Sequence, residues 1–194
     1  MNNLKMNPAL IMILGSALMV GATASLQNAL AAAFASVLTL LASALLVSVL
    51  KKFITDDMEI AADLVIIVFT ASVSAMLTNC LFPNAYKAVS VYLSTLSTSL
   101  LAFVSCRLVR KEGFAAAVST AVYFAVCLLC MGALRELIAS GSLYGNSIAF
   151  LNDYTISIVG SVPGGLILFG LLLAITNKDG YHADLRDVLT EKGE

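Results

Sequence analysis

Tryptophan is absent from the 194 residues, histidine occurs once, and Asp, Glu, Lys and Arg together make up only 12% of the chain. A soluble globular chain carries about 25% charged residues. The net charge of −1 leaves no basic surface to collect phosphates, which excludes nucleic acid as a partner. The one histidine, His182, falls in a charged tail, where it is solvated. There is no Ser-His-Asp arrangement, no HExxH and no phosphate loop, so nothing points to a self-contained catalyst. The four cysteines, Cys80, Cys106, Cys127 and Cys130, show no zinc spacing and imply no disulfide framework. What the chain has in excess is apolar surface. Hydrophobic residues make up 60% and the mean hydropathy is +0.95. That excludes a disordered chain and an ordinary soluble enzyme, and leaves a polytopic membrane protein whose first partner is the lipid bilayer.

The charges are unevenly placed. Met6 to Leu50, Leu64 to Tyr86, Ala88 to Cys106, Gly113 to Leu134 and Tyr154 to Asn177 contain none. A bilayer-spanning helix needs about 20 mostly apolar residues. The last four stretches each fit one span. The first, of 45 residues, fits two, with a break around Gly21 to Asn28. The expectation is an all-α membrane protein with six transmembrane helices at roughly 8–25, 30–50, 60–81, 88–107, 114–134 and 155–176. Residues 1–176 form the membrane domain and 177–194 a charged cytoplasmic tail. With the N-terminus inside, the inner loops hold nine Lys and Arg and the outer loops only Lys87 and Arg135. The excess of basic residues on the inner side then puts both termini in the cytoplasm, in a multi-pass protein of the cell's inner membrane. Lys5, the apolar run and Ala22-Thr23-Ala24 also have the shape of a cleavable signal. The run continues almost unbroken into the second span, which favours a retained hairpin. Tyr86, Tyr92, Tyr144 and Tyr154 fall near outer boundaries, as interfacial anchors do.

A shift of 84 residues lays Ala31-Ala32-Ala33 on Ala115-Ala116-Ala117, Lys51 on Arg135, and Leu45, Leu50 and Ile54 on Leu129, Leu134 and Ile138. Many such identities are compositional, but they fit a 3+3 inverted repeat. Such repeats place sites near the midplane, often on broken helices. Span one carries Gly15, Ser16 and Gly21; its counterpart, span four, carries Ser94, Thr95, Ser97, Thr98 and Ser99. Either these are discontinuous helices that meet at a site, or their small residues serve close packing.

Other residues have bland readings beside functional ones. Cys127 and Cys130 lie on one face of span five, where packing accounts for them. Asp63 lies one turn inside span three; intramembrane acids can mark ion paths, but this position also fits an interfacial residue. Arg135 and Glu136 close span five at its outer end, where they pair locally or meet a partner. Gly141-x-x-x-Gly145 and Gly160-x-x-x-Gly164 are spaced for close helix contact. Val162-Pro163-Gly164-Gly165 should break or kink the start of span six.

Several stretches, spread over most of the chain, resemble one family. They are Asn7-Pro8-Ala9-Leu10 with Leu14-Gly15, Thr23-Ala24-Ser25-Leu26-Gln27-Asn28-Ala29-Leu30, Val49-Leu50-Lys51-Lys52-Phe53-Ile54 and Phe82-Pro83-Asn84-Ala85-Tyr86-Lys87. The most specific is Gly132-Ala133-Leu134-Arg135-Glu136-Leu137-Ile138 followed by Gly141-Ser142-Leu143-Tyr144-Gly145; Val162-Pro163-Gly164-Gly165 to Ala174 completes the set. The chain resembles the six-span subunits of the Rnf/Nqr family, shared by Rnf complexes and sodium-translocating NADH:quinone oxidoreductases. It is most similar to the branch that holds the E-type Rnf and D-type Nqr subunits. The resemblance implies a pair of homologous six-span subunits of opposite topology that jointly hold a membrane-embedded 2Fe-2S cluster, with flavins in partner subunits. It also implies a cysteine from span one and another from span four of each. Here those positions fall on Ala17, within Leu14-Gly15-Ser16-Ala17-Leu18, and on Leu100, after Ser99. Neither is a thiolate or histidine, which iron in such a cluster requires. Cys106 is six residues beyond Leu100, nearly two helical turns away.

The expectation is therefore a non-catalytic membrane subunit of an Rnf/Nqr-like ion-translocating electron-transport complex, serving as scaffold or ion path. It would bind no cofactor or metal with its own residues, and Ser16, Ala17, Ser99 and Leu100 would line the former cluster site. The alternative is a diverged paralogue that transports a small molecule or ion without redox chemistry, with Ser94, Ser97, Thr98 and Asn28 as candidate ligands.

Overall fold

Ser25 begins the longest uninterrupted apolar run, and its side chain explains where the helix starts. Its backbone is extended and its Oγ accepts the Asn28 N–H at 3.3 Å, an N-cap that supplies one of the acceptors a helix start lacks. In the computed structural model, which describes residues 13, 15–51, 54, 58–97, 101–102, 105–106, 109, 113–143, 146–147 and 155–176, the elements follow in this order. Helix α1 is Ser16–Gly21, α2 Leu26–Leu50, α3 Glu59–Leu81, α4 Pro83–Ser97 and α5 Phe114–Ser140. A two-residue antiparallel ladder pairs Ser142–Leu143 with Asn146–Ser147. A 3-10 turn, Ser157–Gly160, precedes helix α6, Val162–Thr176.

The all-α expectation holds at this level. Helices α2, α3 and α5, of 25, 23 and 27 residues, are each long and apolar enough to cross a membrane. At 1.5 Å per residue each reaches about 35–40 Å, beyond the roughly 30 Å of a hydrocarbon core. α2 is the most enclosed of the three and packs against both α5 and α3. Its buried face is made mostly of small residues, among them Ala29, Ala32, Ala35, Ser36, Thr39, Ser43 and Ala44, with Leu40 and Val47. Small side chains let helix backbones approach closely, the means of association open to helices in lipid. α3 shows the opposite character: Val65, Phe69 and Met76 are more than half exposed on its outward side.

Two proline and glycine positions set boundaries that charge alone misplaces. Span four is expected from 88, yet α4 begins at Pro83, with Phe82 the single non-helical residue after α3. A residue before proline is driven out of the α region, and proline suits the first helical position. Phe82 is pinned by an edge-to-face contact with Phe34 of α2, ring centroids 5.9 Å apart. Span five is expected to close at 134, yet α5 runs on to Ser140 and stops at Gly141, whose φ of 61° is left-handed. Gly141 therefore terminates a helix and does not form a helix-contact motif; its partner Gly145 lies outside the described residues. Replacing Gly141 with Ala should cost about 1 kcal/mol, and with Asn less, because only Gly and, to a degree, Asn tolerate this conformation. Thermal unfolding of the purified variants checks this.

Span six, expected over 155–176 with a break or kink at Val162-Pro163-Gly164-Gly165, is two pieces that part just before that stretch, at Ser161. The 3-10 turn is tied to α5 by the Ile156 N–H donating to the Ile138 carbonyl at 2.9 Å, and Ser161 is extended between the turn and α6. Gly160 and Gly164 thus lie on different pieces and not on one helix face. A Cβ at Gly164 would lie 2.1 Å from the Ile158 carbonyl oxygen, so the chain folds back here only because Gly164 has none. At 15 residues, α6 reaches about 22 Å. Leu18, Val89, Phe124, Leu128 and Phe169 bring α1, α4, α5 and α6 into one apolar core with α2. The start of span one and the tail from 177 lie outside the described residues.

Candidate functional site

Helix α1 is short and held at both ends by glycine contacts. A Cβ at Gly15 would lie 2.1 Å from the Phe124 ring of α5, and one at Gly21 would lie 2.0 Å from the Tyr92 ring of α4. These aromatic rings reach the α1 backbone directly, so the segment carrying Ser16 and Ala17 is fixed between α4 and α5. Ser16 opens α1 and is half-buried; Ala17 follows it in the first turn. Ser99 and Leu100 lie outside the described residues, as does Thr98. Of the alternative ligand set, Ser94 is exposed and bonds the Val91 carbonyl of its own helix at 2.6 Å, and Asn28 lies half-buried in the first turn of α2. Ser97 is the last residue of α4.

α1 ends at Gly21 and α2 begins at Leu26, so the break between them offers free carbonyls on one side and free N–H groups on the other. Two consecutive residues of α5 answer them. Arg135 is 1% exposed, and its guanidinium has five N–H donors. Nη1 donates to the Val20 carbonyl of α1 and to Thr23 Oγ1 at 3.4 Å. Nε donates to the Val159 carbonyl at 2.9 Å, and Nη2 to the carbonyls of Gly160 at 3.1 Å and Ser161 at 2.7 Å. The five contacts match the five donors, and four of the acceptors are backbone carbonyls at two helix breaks; that of Ser161 also accepts the Gly165 N–H at 3.0 Å. Glu136, 7% exposed, accepts the Leu26 N–H at the start of α2 through Oε2. The cation meets a helix C-terminus and the anion a helix N-terminus, the favourable pairing of each charge with the helix dipole.

The guanidinium has room because α6 carries Gly165 beneath it: a Cβ there would come within 2.8 Å of Cζ. The outer-end role expected for Arg135 and Glu136 is thus resolved into contacts within the chain, made to segments distant in sequence. The reading of Arg135 as closing its span misses these contacts, although Leu134-Arg135-Glu136 at the end of an otherwise charge-free apolar run carries a usable signal. A charge there needs satisfied partners.

Asp63, read from sequence as an interfacial residue or a mark of an ion path, is enclosed by protein. It is 1% exposed, on the face of α3 that also buries Ile67, Thr70, Ser74 and Thr78. These positions recur at helical spacing and meet the hydroxyl-bearing face of α2. Thr39 Oγ1 and Ser74 Oγ lie 2.6 Å apart across that interface, and each also contacts a carbonyl of its own helix. Two hydroxyls have two protons for three contacts, so one carbonyl goes without. This seam is helix packing through small polar residues.

The described cysteines are all free: Cys106 is buried, Cys127 half-buried, Cys80 and Cys130 exposed. Among the described residues no three His, Cys, Asp or Glu side chains are grouped to hold a metal. At the span-one position where the resemblance implies a thiolate, Ala17 has only a methyl group.

Comparison with known proteins adds the family. The family model described as "Rnf-Nqr subunit, membrane protein" matches residues 1–173. The E subunit of the ion-translocating oxidoreductase complex of Shewanella frigidimarina is 28% identical, over 89% of this chain and 83% of its own length. The E subunit of the Na(+)-translocating ferredoxin:NAD(+) oxidoreductase complex of Acetobacterium woodii is 25% identical, over 88% of this chain and 90% of its own. The corresponding ion-translocating oxidoreductase protein of Shewanella amazonensis is 28% identical, over 89% of this chain and 82% of its own. With a family match that spans nearly all of the apolar part of the sequence, this chain belongs to the Rnf-Nqr family of membrane subunits.

Proposed function

We propose that this chain is a non-catalytic membrane subunit of an Rnf/Nqr-type ion-translocating oxidoreductase complex, acting as scaffold or ion path and holding no half of a cluster. The observation that carries the reading is the pairing of a family match over residues 1–173 with an alanine at the span-one ligand position. In this reading the chain has six spans in a 3+3 inverted repeat and both termini in the cytoplasm of an inner membrane. Its partners are other membrane subunits, including a homologous six-span subunit of opposite topology, with flavins in further subunits. The extensive packing of α2 on α5, which correspond under the 84-residue shift, supports the repeat. Ser16, Ala17, Ser99 and Leu100 line the position of the lost cluster.

Native co-purification tests the assembly. With a tag on the C-terminal tail and gentle extraction, mass spectrometry should find a cysteine-bearing six-span relative and flavin-binding subunits. Recovery as a homo-oligomer without redox subunits overturns the reading and points to a transported solute. Iron analysis tests the cluster: the chain purified alone should hold none, and stoichiometric iron with an iron–sulfur spectrum overturns that part.

A further inference from the structure

The carbonyls around Arg135 form a cation site. Val20, Val159, Gly160 and Ser161 each contribute a backbone oxygen and Thr23 a hydroxyl, all within hydrogen-bond reach of one buried guanidinium. Unwound backbone and half-helix C-termini are the groups that coordinate free cations in membrane transporters. We infer that the two helix breaks build a five-oxygen cation site whose occupant is the chain's own guanidinium, and that Arg135 is the positioning residue locking the end of α1 to the turn before α6. Two features select a planar forked cation over a spherical one. The acceptors lie on two sides, the α1 end on Nη1 and the turn on Nε and Nη2, so that each donor meets one oxygen. Gly165 leaves a flat floor against which the guanidinium rests, its carbon and both terminal nitrogens within 3.0 Å of where a Cβ would be. An ammonium has three donors and cannot match five acceptors. With these five oxygens engaged by one guanidinium, the end of α1 is a fixed joint.

Chemical rescue tests this. Ala22, 1% exposed beside the site, serves as reporter: Ala22→Cys in the full-length protein is labelled with a maleimide and the label located by mass spectrometry. The thiol should be protected in the parent. Arg135→Ala should label it at least about tenfold faster, because the α1 end opens locally. Guanidinium chloride at about 10 mM, far below denaturing concentrations, should restore protection, whereas methylammonium or sodium chloride at equal ionic strength should not. Equal restoration by all three salts, or parent-like protection without any, overturns the proposal. Should Arg135→Ala fail to fold, Gly165→Ala carries the test. Its Cβ displaces the guanidinium while improving helix propensity. It should raise labelling at position 22 without a guanidinium response; unchanged protection overturns the inference.

Discussion

Gly132→Ala alone should sharply lower the yield of folded protein, and Gly132→Ala combined with Ala29→Gly should restore it. A Cβ at Gly132 of α5 would lie 2.4 Å from the Ala29 Cβ of α2, against about 3.5–4.0 Å for carbon atoms in contact. Ala29 is buried, and its Cβ is bonded directly to the α2 backbone. It cannot rotate away as the end of a long side chain would. The clash therefore separates two membrane-length helices that form the most extensive helix pair among the described residues. Overpacking of this kind costs about 1–3 kcal/mol, and here both helices carry further interfaces that would be strained with them. The double variant moves one methyl across the same interface. The alanine gained in one helix and the glycine introduced in the other differ in propensity by about 1 kcal/mol each, with opposite sign. The remaining neighbours of the new methyl, the Ser25 carbonyl at 3.6 Å and Leu26 Cα at 3.8 Å, are ordinary contacts. Thermal unfolding of the parent, both single variants and the double variant gives the coupling. Additive effects, with the double variant worse than Gly132→Ala, would show that α2 and α5 do not meet at these residues.

The second large effect is expected at Glu136. Glu136→Ala should lower stability by about 2–3 kcal/mol, the worth of a hydrogen bond to a charged group plus the penalty of an unsatisfied N–H. For a chain of this size that is a fall in Tm of roughly 4–12 °C. Glu136→Gln keeps an acceptor within reach of the Leu26 N–H and gives up the charge at the helix N-terminus, a share of about 0.3–1 kcal/mol at exposed sites and up to about 2 where partly buried. It should fall between the parent and Glu136→Ala. The effect acts over 110 residues of sequence, since Glu136 is on α5 and the N–H it accepts begins α2. An unchanged Tm for Glu136→Ala would mean that α2 does not rely on this carboxylate for its first turn.

Ser25 shows how legible such a start is from local residues, and Glu136 shows the limit. Ser25 lies three residues before the N–H it caps, so its role belongs to its own stretch of chain. The long helices are legible for a similar reason. The charge pattern places span two over 30–50, and α2 ends at Leu50, just before Lys51. It places span three over 60–81, and α3 occupies Glu59–Leu81; the start of span five at 114 coincides with that of α5. The cost of placing a charge in a low-dielectric medium is a property of single residues, so charge-free stretches mark such helices without knowledge of the fold.

The same rule fails at Arg135. A charge there suggests the end of the span, but α5 continues past it because the guanidinium finds its acceptors inside the protein. Those acceptors come from residues 112 to 115 positions earlier and 24 to 26 later. Asp63 repeats the lesson: its place near the end of a span does not reveal its burial, and in the fold it lies on the buried face of α3. The glycines divide likewise. The spacing of Gly141 and Gly164 suggests helix contact motifs, whereas Gly141 ends α5 and Gly164 permits a backbone fold-back; Gly165, outside both motifs, makes room for Arg135.

From sequence alone came the membrane character of the chain, its long apolar helices, its family resemblance and the missing thiolate at position 17. Each depends on which residues are present and in what order. Only the tertiary structure decided where the breaks in spans one and six meet and which side chain joins them. Freed carbonyls are the same atoms in every residue. They acquire a partner only when packing brings a donor to them, and no local pattern encodes that approach.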